Sequence, residues 1–193
     1  MTATTYFSVD VETTGPTPGT SALLSIGAEA FTREPDGWQH KGDFYVRIRH
    51  AQLRWNQLTL EWWEQQNTIA RDEAYADETL DRVSPFNAAD ALNEWVGDVG
   101  SDENVFIANP TGFDWQFVND IMWDYVGANP FGYAPLCIRS MVYGLGDRPW
   151  GEDRSDWGQF HVPAEIPHHA LYDARAQAES FRRVHDARRP FMP

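Results

Sequence analysis

The sequence predicts an α/β domain built on a mixed β-sheet flanked by helices. Three observations carry that expectation. Apolar runs of strand length crowd the first fifty residues, the rest of the chain alternates helical spacing with short strands, and no composition break marks a linker between two folded units. Without an internal repeat or low-complexity tract, all of 1–193 reads as one domain.

Residues 5–11 (TYFSVDV) and 22–31 (ALLSIGAEAF) read as strands separated by TTGPTPGTS, whose Gly, Pro and Thr favour a turn. DFYVRIR at 43–49 alternates as a third strand, and three short consecutive strands suggest an antiparallel meander. LTLEWWEQQ at 58–66 reads as a helix, and 84–100 has a Ser-Pro start, apolar spacing and a terminal Gly, the marks of another. VFIAN at 105–109 suits a buried strand ended by Pro110, and 112–127 a helix closed by Gly127. PLCIRSMVYGLG at 135–146 reads as a short strand running into a helix, and 147–167, rich in Gly, Pro and charge, as a long surface loop. Ala170, Leu171, Ala174, Ala178, Phe181 and Val184 then mark a last helix by their spacing. The order is βββ-α-β-α-β-α.

Composition narrows the function. The formal charge is −14, which argues against a protein that coats long stretches of duplex through many phosphate contacts, though not against one that grips a single strand end. No run approaches the roughly 18 apolar residues of a membrane span, and MTATTYFSVDVE lacks the basic and apolar regions of a signal peptide; the expectation is a cytoplasmic protein. A lone cysteine, Cys137, excludes an intramolecular disulfide and a Cys-based zinc cluster, so any metal would take oxygen or imidazole ligands. Nine Trp are many for this length and suit core or subunit contacts.

Three segments carry chemistry. Asp10 and Glu12 lie at i and i+2 in the first strand, on one sheet face near its C-terminal end. Like charges so close raise each other's pKa unless a cation intervenes, so the pair fits half of a divalent-metal site; alone, it also fits a solvated strand end. Asp114 sits where a strand passes through NPTGF into a helix, which suits either a ligand or an acid complementing the helix dipole. In HHALYDA, Pro167 suits a helix beginning just after it, with His168 at its start and Asp173 in its second turn. On a regular helix those two would point about 140° apart. A loop leading into the helix lets the imidazole swing towards the carboxylate.

With VDVETTG at 9–15, NPTGFDW at 109–115 and HHALYDA at 168–174 in this order, the chain resembles the DEDDh 3′→5′ exonucleases of the ribonuclease H-like superfamily. That group includes proofreading subunits of bacterial replicative polymerases, ribonuclease T and oligoribonuclease. The resemblance implies a ribonuclease H-like mixed sheet flanked by helices, metal ligands at Asp10, Glu12, Asp114 and Asp173, and a general base at His168. It implies two divalent ions as cofactors; oxygen ligands and a phosphate substrate favour Mg²⁺ or Mn²⁺ over Zn²⁺. His169 lacks the H-x4-D spacing and reads as a packing or solvent-facing residue.

The expected substrate is the 3′ end of single-stranded nucleic acid, with RNA slightly favoured over DNA; DNA proofreading or repair trimming is the nearest alternative. A non-catalytic module on the same fold is a third reading, but all five positions are filled. The resemblance places backbone near Thr13 and Thr14 against the terminal 3′-hydroxyl. Trp62 or Trp63 would stack on a terminal base, only one of them facing it, with Leu23 or Leu24 as the opposite wall. Arg148 and Arg154 are candidate phosphate contacts, and Arg182, Arg183, Arg188 and Arg189 form the most basic stretch, which also suits the end of a helix. A homodimer is expected from the family and from the aromatic excess.

Overall fold

Strand β1 (Thr4–Thr13) is the axis around which the chain is organised. It pairs antiparallel with β2 (Leu23–Glu34), which pairs antiparallel with β3 (Gly37–Arg47), the predicted meander. On its other side β1 runs parallel to β4 (Glu103–Ala108), and β4 to the two-residue β5 (Leu136–Cys137). The five-stranded mixed sheet has the order β3-β2-β1-β4-β5. The computed structural model describes residues 3–145 and 158–187.

Three helices begin where the sequence supplies an oxygen for their orphan amides. Asn56, Asn67 and Ser84 accept backbone N–H bonds at the starts of α1 (Gln57–Trp63), α2 (Thr68–Arg71) and α3 (Pro85–Val99), and Pro85 occupies the first turn of α3. α2 continues without a break into a π-helical turn at Asp72–Ala76. α4 (Thr111–Ile121) continues into another at Met122–Val126, closed as predicted by Gly127 in the left-handed region, φ 74°. α5 (Ile138–Leu145) follows β5, and α6 spans Ala170–Ala187.

Alternation along β1 divides the core. Phe7, Val9 and Val11 pack with Ile26, Ala28, Leu92, Val96, Phe117 and Val118 on the α3/α4 side. Phe31, Ile107, Ile138, Val142, Phe181 and Val184 form a second cluster under α5 and α6. Ser8 faces α6: its hydroxyl donates to the Ala174 carbonyl (2.8 Å), and Gln177 Nε2 donates to the Val9 carbonyl (3.0 Å). Those bonds seat α6 across β1.

Three boundaries differ from the sequence expectation. β3 begins at Gly37, not 43, because the Pro35-Asp36 turn lets the polar stretch 38–42 pair with the long β2 even though it carries no alternation signal. Helix α2 and its π turn fall in a polar stretch with no apolar stripe, and its Ile69 is exposed. α6 starts at Ala170, not directly after Pro167, because His168 adopts φ 64°, and Asp173 therefore stands in the first turn. Among the described residues, no helix is long and apolar enough to cross a membrane.

Candidate active site

Three elements bring the predicted acids together at the C-terminal end of β1. Asp10 and Glu12 share the face of β1 that carries Ser8, where α6 lies. Asp114, in the first turn of α4, is tied to the strand by the Val11 N–H, which donates to Asp114 Oδ1 (3.1 Å). Asp173 arrives from α6, and ligating atoms of Glu12, His168 and Asp173 lie within 4.8 Å of one another. A glycine makes the approach of α6 possible. Gly27 pairs with Asp10 in the ladder, and a Cβ on it would stand 2.2 Å from the Ala170 carbonyl carbon and the Leu171 nitrogen, a distance no side chain survives.

The electrostatics are those of a site awaiting positive charge. Burial, then the neighbouring Asp114, Glu12 and Asp173, pushes the Asp10 carboxyl well above the usual range. Burial followed by Asp173 and Asp114 does the same to Glu12. Asp114 is pushed up to about 7, mainly by burial, although the Val11 amide pulls the other way. Asp173 rises to about 6, again mainly by burial, against the pull of the His168 and His169 amides. No Lys or Arg among the described residues pairs with any of the four. Ser25, directly opposite Glu12 in the ladder, leaves its buried hydroxyl oxygen without a hydrogen-bond partner. Hard oxygen donors, uncompensated charge and one imidazole fit Mg²⁺ or Mn²⁺.

A family model described as the 3′-5′ exoribonuclease Rv2179c-like domain matches residues 5–185. The chain belongs to this family of DEDDh 3′→5′ exonucleases. It is 34% identical over 184 residues to the 3′-5′ DNA exonuclease Cap18 of Escherichia coli, covering 93% of this chain and 90% of that one. Among solved structures, the nuclease domain of 3′hExo, a DEDDh family member bound to rAMP, superposes with a TM-score of 0.64 at 11% identity, over 94% of this chain and 92% of that one. The E. coli ExoI–ssDNA complex gives 0.63 at 14%, over 95% and 42%. Both show the ribonuclease H-like fold.

Within this DEDDh chain the adjacent histidines have separate surroundings. The His168 amide donates to Asp173 Oδ2 (2.6 Å), and its ring meets Trp62 edge-on at 4.6 Å. Burial lowers its pKa below the usual imidazole value, which keeps the ring neutral and able to accept a proton. His169 packs, as expected: it is buried and stacks on Tyr45 with centroids 4.6 Å apart.

The two tryptophans also separate. Trp63 is fully buried, and its Nε1–H donates to the Thr13 carbonyl (3.0 Å), so it pins the loop after Glu12. Trp62 is 40% exposed and stands on a groove of about 390 Å³ with Glu12, Thr13, Pro16, Leu58 and Phe113.

Other expectations shift. Leu23 and Leu24 are buried, Leu24 packing with Trp63, so neither supplies a wall of this groove; Leu58 and Phe113 stand there instead. Thr14 is buried: its N–H donates to the Ala22 carbonyl and its hydroxyl to the Arg54 carbonyl, which leaves neither for a substrate. The Thr13 hydroxyl donates to the Gly15 carbonyl (2.8 Å). Arg182 pairs with Glu29 and Arg183 with Glu179, structural uses of those cations. Arg148, Arg154, Arg188 and Arg189 lie outside the described residues. Leu58 lies in no motif, and Phe113, although inside NPTGFDW, carries no signal for this place; only the fold turns them to the groove.

Proposed function

We propose that the chain is a divalent-metal-dependent 3′→5′ exonuclease that removes nucleotides from single-stranded 3′ ends, with RNA as its preferred substrate. The observation that carries this is the meeting of buried Glu12 and Asp114 with half-buried Asp10 and Asp173, uncompensated by any Lys or Arg among the described residues, with one neutral imidazole beside an apolar groove. RNA is put first because the family model spanning 5–185 describes an exoribonuclease. DNA is the second reading, favoured by the 34% identity to a DNA exonuclease over nearly the whole chain.

A pair of Mg²⁺ or Mn²⁺ ions would supply charge neutralisation at the phosphate and would lower the pKa of the attacking water. Asp10, Glu12, Asp114 and Asp173 would hold them. An imidazole nitrogen of His168 takes the proton of the attacking water, a role open to it because its ring is neutral near pH 7. Trp62 offers a face for the terminal base, and Leu58 and Phe113 exclude water beside it. With Glu12 the sole charged side chain among the described residues that line that groove, recognition there is by stacking and tolerates any base.

The remaining parts of the reading are a single exonuclease domain over 1–193, a cytoplasmic location and a homodimer, the last supported by exposed Phe86, Trp123, Tyr125 and Tyr133. A concentration-independent monomer in light scattering would refute the dimer.

The test compares matched 3′-labelled RNA and DNA oligonucleotides with Mg²⁺, with Mn²⁺ and with EDTA. Metal-dependent release from the 3′ end, faster on RNA, is expected. Faster release from DNA would transfer the assignment to the second reading, and no metal-dependent release from either would overturn it.

A further inference from the structure

His168 is held in an unusual backbone conformation, and part of what holds it lies outside the three motifs. Its φ of 64° is a left-handed value that side chains rarely adopt, and it persists only where the surroundings fix it. On one side the restraint is the bond from the His168 amide to Asp173. On the other it is His169, whose carbonyl accepts the Asp173 N–H (3.0 Å) and whose ring is clamped.

The clamp centres on one oxygen. Glu73 Oε2 accepts the Tyr45 hydroxyl (3.2 Å) and a short bond from Arg47 Nη1, and lies 3.8 Å from His169 Nε2. Tyr45 stacks on one side of the His169 ring, and Tyr172 meets the ring edge-on at 4.8 Å. Glu73 itself is fixed by the π-helical turn Asp72–Ala76, whose carbonyls are gathered by Arg82: its guanidinium donates to Ala74 (2.8 Å) and to Asp72, Glu73 and Asp77 (3.3 Å each). Single π turns recur at functional sites, and this one closes the helix at Asp77.

We propose that Glu73 is a positioning residue for catalysis: through the His169 ring it fixes the backbone that presents His168 to the reacting phosphate. The inference rests on the exonuclease reading above. An ion pair that only fastened α2 to β3 would need Arg47 and Glu73 alone. Here the same carboxylate oxygen also faces His169, and His169 adjoins the base in sequence and bonds the first turn of α6.

The experiment measures kcat and KM of Glu73→Ala, Glu73→Gln, His169→Phe and the Glu73→Ala/His169→Phe double variant on a 3′-labelled single strand, well below each Tm. Amide hydrogen exchange of the metal-free proteins is followed in parallel. Glu73→Ala and His169→Phe should each lower kcat about 10- to 100-fold with KM nearly unchanged, because a misplaced base is felt in the transition state. Glu73→Gln keeps an acceptor for Tyr45 and Arg47 and a side chain of the same size beside His169, and should recover most of the rate. The double variant should be no slower than the slower single, the signature of two residues acting as one unit. Exchange of the His168 and Asp173 amides should accelerate in Glu73→Ala while later turns of α6 keep their protection.

Losses that multiply in the double variant, an unchanged kcat in His169→Phe, or exchange rising along all of α6 would overturn the proposal. Should Glu73→Ala not fold, His169→Phe decides by the same rate and exchange readouts. A wild-type protein without metal-dependent turnover would instead sink the exonuclease reading, and the exchange pattern would still decide whether Glu73 holds His168.

Discussion

Asp173 and Arg182 belong to the same helix, and their charges are managed in opposite ways. Asp173, in the first turn of α6, stands among three other carboxylates with no Lys or Arg partner among the described residues, and all four have raised pKa values. Arg182, further along, closes on Glu29 and lies over the Phe31 ring at 4.3 Å. Burial also pushes Glu29 up, but Arg182 works against it, and at nearby Asp43 the hydrogen bonds of Arg175 and His40 overcome burial and hold the carboxyl below its usual value. The protein had the means to neutralise buried acids and used it along β2, β3 and the distal part of α6. At the end of β1 it did not. A cluster left uncompensated among the described residues, in a chain that compensates Glu29 and Asp43, is what supports the proposed divalent-cation site.

The largest expected effect lies in exchanging one charged residue at each place. Asp10→Asn should cut turnover by roughly a thousandfold, since on the proposed reading it removes a carboxylate that would hold the ions, worth several kcal/mol of transition-state stabilisation. Arg182→Met should leave turnover per folded molecule intact but destabilise the protein by about 3 kcal/mol, because it strands the Glu29 carboxylate in a buried place. Urea denaturation together with initial rates measures both. If Arg182→Met abolished turnover at unchanged stability, the division between the two ends of α6 would be wrong.

A smaller contrast separates adjacent tryptophans. Trp63→Ala removes a fully buried ring and leaves the Thr13 carbonyl without its donor, which should cost about 3–5 kcal/mol of stability. Trp62→Ala should leave stability nearly intact and raise KM for single strands by about tenfold, within the ~1–3 kcal/mol of one base stack. Equal effects of both substitutions on KM would place both rings at the substrate.

Most of the chemistry was legible in the sequence because it is local. Asp10 and Glu12 share a strand face by the two-residue period, and the VDVETTG, NPTGFDW and HHALYDA motifs carry the residues that the fold brings together. The strands β1 and β2 and helix α3 were legible for the same reason, through apolar runs and a Ser-Pro start. What escaped depends on long-range packing. Leu23 and Leu24 look available beside a flexible loop, but Trp63 and the β1–β2 ladder bury them. The left-handed His168 breaks a helix start that Pro167 announces, and its bond to Asp173 appears only in the fold. Glu73 lies in a polar stretch without periodicity, and its meeting with Tyr45, Arg47 and His169 exists only once β3 and α6 are in place.

The most direct measurement of the uncompensated cluster is the melting temperature of the metal-free protein between about pH 5 and pH 8, with and without Mn²⁺. Asp173 at about 6 and Asp114 at about 7 lie above the roughly 3.9 of an unfolded Asp, so the folded state binds more protons than the unfolded one across this interval. Stability from these groups is therefore present at low pH and lost as pH rises through 6 and 7, so the metal-free Tm should fall towards pH 8. Protons and metal compete for the same oxygens, so Mn²⁺ at about a hundred times its Kd should raise Tm by roughly 5–10 °C at pH 8 and by clearly less at pH 5. A metal-free Tm that rises or stays flat over this range, with no Mn²⁺ shift at pH 8, would contradict the claim that these four carboxylates wait for a divalent cation.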